Sequence, residues 1–239
     1  MKIVQITDIH INKLFELTNN INVQSNFITV LDNAMLEQPD LWVLSGDIGH
    51  NEVQVDVYQW IKSEMDSRGV PYRVIGGNHD DVDKLTQVYA EIQGESPYFS
   101  LQMEGYKFLF LNTIDGKLDE IQFNWFKSEI KTGIDAIFMH HPPLLAGVPH
   151  MDGRYAMQER QPFLEVIQAV GSRHRIFSGH YHTERTLEYG NISVYITPST
   201  IVQISDKSEV FTADHYKPGY RVIEFHEDGF RTWVRYIWN

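Results

Sequence analysis

The sequence predicts an α/β protein with a mixed β core of two packed sheets and helices outside, and three observations carry that reading. Short β-rich apolar runs alternate with helix-length segments along most of the chain, as βα units do. Several runs are apolar on successive residues, like strands covered on both faces. After about residue 185 the alternation gives way to strand-like runs separated by turn residues.

Taken in order, the strands are IVQIT at 3–7, LWVLS at 41–45, YRVIG at 72–76, KFLFLN at 107–112, DAIFMH at 135–140 and RIFSG at 175–179. Helices are expected between them near 25–37, 53–67, 82–92, 121–131 and 159–171, with Ser25 and Asp119 as N-terminal caps. TLEYGNISVYIT, YRVIEF and FRTWVRYIW, broken by Gly190, Asn191, Asp228 and Gly229, read as antiparallel hairpins. These hairpins, about 186–239, are expected to complete the second sheet of one domain spanning 1–239. The aperiodic stretch from Pro142 to Glu159 is the candidate functional surface loop.

Composition narrows the function classes. A chain of 239 residues, 42% hydrophobic and 13% aromatic, can build one substantial core. Its 32 acidic residues against 20 basic ones give a formal net charge of -12, which repels nucleic-acid polymers and anionic membranes. No cysteine is present, so any metal must be held by oxygen and nitrogen. MKIVQITDIH turns polar too early for the apolar part of an export signal, and no apolar run approaches the roughly 20 residues that span a bilayer. A cytoplasmic protein is expected.

The polar residues that follow the strands carry the chemistry. Asp8 and His10 follow the first run, Asp47 the second, Asn78 and His79 the third, His140 and His141 the fifth, and His180 and His182 the sixth. Residues just beyond the carboxyl ends of parallel strands converge on one crevice. Singly, each is as well explained as a turn former, a cap or a satisfied histidine. Together they form an oxygen and nitrogen donor set suited to borderline metals such as manganese, iron or zinc. Asp8, His10, Asp47, Asn78, His140, His180 and His182 are more ligands than one catalytic metal needs, and suit two metals bridged by a carboxylate. Two such cations, two carboxylates and one hydroxide leave roughly one net positive charge, enough to draw a phosphate ester into an acidic protein.

The motifs D8-I-H10, G46-D47, G77-N78-H79-D80, H140 and G179-H180-Y-H182 resemble, in order and spacing, those of the calcineurin-like metallophosphoesterases. HHPPLLAGVPHMD, TPSTIVQ and KPGYRVIEF further resemble the bacterial class III cyclic nucleotide phosphodiesterases, a branch that includes cyclic AMP phosphodiesterase and glycerophosphodiesterase-like enzymes. The resemblance implies a four-layer αββα sandwich and two divalent or trivalent metal ions, manganese or iron, with zinc also fitting. It implies that Asp8, His10, Asp47 and His182 hold one metal, and Asp47, Asn78, His140 and His180 the other. His79 is carried over as the residue facing the substrate phosphate, with Asp80 as its partner. His50 and Asn51 depart from the small hydroxyl and acidic residues of relatives.

The expected reaction is hydrolysis of a small phosphodiester, a cyclic nucleotide or related diester, by a metal-bridging hydroxide with His79 assisting the leaving group. Phosphomonoesterase or glycerophosphodiesterase activity is the alternative within the fold, and a protein-binding scaffold is the non-enzyme alternative. Asp80 is equally read as a helix N-cap, and Asp81 as a solvated first-turn residue. His141, pointing away from the metals, is expected behind them. His50, His150, Asp152, Arg154 and Tyr181 are candidate pocket residues; His174, His215 and His226 fall outside the pattern. The C-terminal aromatics are expected to pack a sheet or a homodimer contact.

Overall fold

The structure, a computed structural model, describes residues 1–51 and 54–238; the expected helix start at 53 lies outside them. The chain opens with β1 (Lys2–Ile6), α1 (Val23–Met35), β2 (Leu41–Ser45), α2 (Val55–Asp66), β3 (Tyr72–Ile75) and α3 (Val82–Gln93). It continues through β4 (Phe99–Met103), β5 (Tyr106–Leu111), α4 (Glu120–Glu129), β6 (Ala136–Met139), α5 (Pro149–Arg154), α6 (Arg160–Val170) and β7 (His174–Ser178). The last part is β8 (Arg185–Tyr189), β9 (Ile192–Ile196), β10 (Gln203–Ile204), β11 (Ala213–His215), β12 (Gly219–His226) and β13 (Gly229–Tyr236).

Two large mixed sheets result, in the orders β13-β12-β1-β2-β3 and β4-β5-β6-β7-β9-β8. Within them β1, β2 and β3 are mutually parallel, as are β5, β6, β7 and β9. The expectation that all the C-terminal hairpins complete the second sheet is corrected. Only β8 and β9 do so, whereas β12 returns to the first sheet and pairs antiparallel with β1. There Val222 faces the helices while Ile223 and Phe225 face the opposite sheet, so the strand is covered on both sides.

α1, α2 and α3 pack Phe27, Tyr58, Ile61 and Leu85 on the outer face of the first sheet, and α4 and α6 pack Phe126, Phe163 and Ile167 on that of the second. The order helix, sheet, sheet, helix follows. Between the sheets lies an aromatic ladder, one ring per strand across β4, β5, β6, β7 and β9. Phe99, Phe110, Phe138, Phe177 and Tyr195 are successive cross-strand partners. Their centroids are 4.7, 5.2, 5.4 and 5.1 Å apart. Phe230 of β13 packs on Phe177 and Tyr195, which gives the C-terminal aromatics a place in the sheet packing.

Two caps differ from expectation. Asn22, not Ser25, caps α1, accepting the Ser25 N–H at 3.0 Å. Asp81, not Asp80, caps α3, accepting the Lys84 N–H at 3.1 Å. Asp119 caps α4 as read from the sequence. Strand β4 and the short α5 inside the 142–159 loop were not anticipated. Among the described residues no helix is long and apolar enough to cross a membrane.

Candidate metal centre

The carboxyl ends of β1, β2 and β3 in one sheet and of β6 and β7 in the other open onto the same crevice. The loops leaving them are bonded to one another. Asp8 N–H donates to the Gly46 carbonyl at 3.0 Å, Ile9 and His10 N–H both donate to the Asp47 carbonyl at 2.8 and 2.9 Å, and Gly179 N–H donates to the His140 carbonyl at 3.0 Å. The turns are tight enough that Asp8, His10, Asp47, His180 and His182 all have positive φ, between 46° and 68°. L-residues in this region cost about 1 kcal/mol each, and such backbone persists where surrounding structure holds it, commonly at functional sites. Gly77 follows β3, where a glycine can serve a sharp bend. Its φ is not positive, and glycine is required because a Cβ there would collide with Asp47 Oδ1.

Six of the seven expected ligands are buried; Asn78 is exposed but lines the same cavity. The donor atoms of the six buried ones fall into two groups that share one residue, Asp8, His10, Asp47 and His182, and Asp47, His140 and His180, and a third group joins His10 to His50 and His79. Asp47 is oriented for sharing. Its Oδ1 accepts the His79 N–H at 2.9 Å, while Oδ2 lies 3.6 Å from His10 Nε2 and 3.2 Å from His140 Nε2, one imidazole from each group. Asp8 accepts the His180 N–H and presents Oδ1 to His182 Nε2 at 3.2 Å.

The imidazoles are held from behind. His140 Nδ1 donates to the Ser45 carbonyl at 2.9 Å, His182 Nδ1 to the Val202 carbonyl at 3.0 Å, and His180 Nε2 to the Tyr155 carbonyl at 2.9 Å. Each bond fixes a tautomer and leaves the other nitrogen for the crevice. His10 Nε2 and His182 Nε2 face each other at 3.0 Å, and the buried His140 Nε2 lacks an aligned hydrogen-bond partner. A cation supplies what these converging lone pairs and carboxylates lack, so the donor set fits divalent metal.

Electrostatics agree. Burial pushes His10 down to about 3 and, with His140 adding to it, His180 down to about 4, so both are neutral donors. Burial opposes protonation of His140 as well, but Asp47 outweighs it and holds this imidazole up at about 9. Burial raises the Asp47 carboxyl, yet His140 and His10 keep it well below its ordinary value. Metal must therefore displace a proton from His140, so affinity for Mn²⁺ should rise as pH increases from 6 towards 9. Calorimetric titrations across that range in two buffers of different ionisation enthalpy would register the released proton.

Around this centre several expectations are corrected. Asp80 does not orient His79 in the described structure. Its carboxylate accepts N–H groups of Ile48, Gly49 and Gly77 at 3.1, 2.9 and 2.9 Å and the Tyr58 hydroxyl at 3.0 Å, tying the β2 and β3 loops together. Desolvation, with Asp47 nearby, pushes it up to about 6. The partner of His79 is Asn51, whose Oδ1 accepts from Nδ1 at 3.2 Å. Asp152 and Tyr181 are not pocket residues either. Tyr181 is fully buried and donates to Asp152, which also accepts the N–H groups of Ala146, Gly147 and Val148 and so folds the 142–159 loop. Arg154 is exposed and does not line the cavity.

His50 does line it, stacked on His79 at 5.2 Å with its Nδ1 3.3 Å from His10 Nδ1. His141 stands behind His180, ring centroids 4.1 Å apart, and meets Thr113 Oγ1 at 3.1 Å. His174, His215 and His226 take no part in the donor groups among the described residues. Sequence reasoning missed Tyr155 and Phe211, which line the cavity beside His150, and Ile201, Val202 and Ile204. Only the aromatic character of the first two hinted at a surface role.

A two-sheet sandwich whose strand ends gather histidines and carboxylates into two donor groups defines a metallophosphoesterase. Residues 1–184 match the calcineurin-like phosphoesterase family, and the chain belongs to that family of metal-dependent phosphoric ester hydrolases. It is 33% identical over 239 residues to a probable cyclic nucleotide phosphodiesterase of Fibrobacter succinogenes, covering 98% of this chain and 93% of that protein. It is 27% identical over 243 residues to the 3',5'-cyclic adenosine monophosphate phosphodiesterase CpdA of Escherichia coli, covering 96% and 86%. Among solved structures, a dimetal phosphatase from Danio rerio superposes with a TM-score of 0.73 at 12% identity, over 98% of this chain and 96% of that one, which shows the shared fold.

Proposed function

We propose that this protein is a dinuclear-metal phosphodiesterase that hydrolyses a small cyclic nucleotide or closely related diester. The observation that carries the reading is Asp47 Oδ2, placed between one imidazole of each donor group. Asp8, His10 and His182 would complete one site and Asn78, His140 and His180 the other. Metals bound there supply charge for the phosphoryl oxygens and an acidified water as nucleophile. The names of the similar proteins support a cyclic nucleotide as the substrate.

The chain's own residues do the rest. His79 stands at the cavity wall with Nδ1–H held by Asn51, so in its protonated form Nε2–H is free to reach the departing oxygen. His50, stacked on it, limits the rotation of that ring. His79→Ala should lower kcat about 10²–10⁴-fold for alkyl diesters and far less for p-nitrophenyl esters, whose leaving group needs no proton. Equal losses on both would rule out proton donation. The reading as a whole is tested on metal-quantified enzyme with bis(p-nitrophenyl) phosphate, p-nitrophenyl phosphate, 2',3'- and 3',5'-cyclic nucleotides and glycerophosphodiesters. A preference for the monoester or for the glycerol diester would overturn it.

A further inference from the structure

The cavity over the metal centre, about 400 Å³, has two unlike sides. One is the polar wall already described. The other is apolar and aromatic, made of buried Ile201, Val202 and Ile204 together with Tyr155, His150 and Phe211. His150 is edge-on to both neighbours, 5.4 Å from Tyr155 at 65° and 6.1 Å from Phe211 at 71°. The outer rings remain open to solvent, Phe211 57% and Tyr155 47% exposed. The phosphoester chemistry assigned above uses neither side chain.

The aromatic group is anchored to the metal centre. The Tyr155 carbonyl is the one that holds His180, so this aromatic is placed relative to a ligand imidazole. His150 N–H donates to the Ser208 carbonyl at 3.1 Å and its Nδ1 to the Glu209 carbonyl at 3.4 Å, which ties down the segment that carries Phe211. Rings fixed this way lose little freedom when a flat group lies against them, and that is the favourable condition for stacking.

We propose that the Tyr155–His150–Phe211 wall seats the nucleobase of the substrate, so that selectivity for a base-bearing phosphoester resides in this wall. The inference rests on the phosphoester reading of the metal centre. A phosphate held among the polar residues leaves its ester substituent free to meet the apolar ones, where a planar base with apolar faces can stack and a glycerol group cannot.

The test separates the base from everything else in the ligand and does not require turnover. AMP and ribose 5-phosphate share phosphate and sugar and differ only in the base. On metal-loaded enzyme, calorimetry should give AMP a Kd about tenfold or more below that of ribose 5-phosphate. Phe211→Ala and Tyr155→Ala, both at exposed side chains, should bring the two constants towards equality by weakening AMP alone, while Tyr155→Phe and Phe211→Trp preserve the difference. Equal affinities in the unmodified protein, or a difference that survives both alanine variants, would overturn the inference. Failure of the unmodified protein to hydrolyse any cyclic nucleotide would sink the proposed substrate and still leave the wall decided by the two constants.

Discussion

Asp47→Ala is expected to empty both metal sites at once. Removing an outer partner of a metal ligand typically costs 10–100-fold in affinity, so losing a carboxylate shared by both donor groups should cost well over about 100-fold in each, and activity with it. His10 and His140 would also lose the carboxylate oxygen now 3.6 and 3.2 Å from their Nε2 atoms. The result is read as metal content after gel filtration together with turnover of bis(p-nitrophenyl) phosphate. Asp47→Asn, which keeps the shape and an acceptor for His79 N–H, serves as the control for folding. Retention of two metals per chain in Asp47→Ala would show that this residue does not bridge.

The second large effect belongs to Asp80 and is a matter of stability. Asp80→Ala would leave three backbone N–H groups and the Tyr58 hydroxyl without their acceptor in the joint between the β2 and β3 loops. Unsatisfied donors in such a place cost about 1–3 kcal/mol each, so a loss of about 3–5 kcal/mol after relaxation is expected. For a chain of this size that is on the order of 10 °C in Tm. Denaturant and thermal unfolding of metal-free protein would measure it. Unchanged stability with a large loss of turnover would instead restore Asp80 as the orienter of His79.

The sequence made the strand-end pattern legible because each ligand sits one to four residues beyond the end of a strand. Those distances survive folding when the strands are parallel and end together. Asp80 and Asp81 illustrate where reading stopped. Either could cap a helix, and only the direction of the chain after Gly77 decides which carboxylate meets the Lys84 N–H and which turns back into the loops. The destination of β12 was hidden for a similar reason. A strand apolar on both faces is acceptable to either sheet, and its pairing with β1 depends on an edge left open more than 200 residues earlier in the chain. Tyr155 and Phe211 could not be paired from sequence because they meet only through His150, contributed by a helix of six residues that no periodicity announces.

The ladder from Phe99 to Tyr195 bears on the chemistry although no ring of it touches the crevice. Strand slippage by one residue would turn every one of these rings to the opposite face, so the ladder admits a single alignment of β4, β5, β6, β7 and β9. Phe138 and Phe177 stand two and three residues before His140 and His180. The interlocked rings act as a datum line from which both ligand heights are measured, and they let a centre built on strained loops inherit its accuracy from the packing between the two sheets.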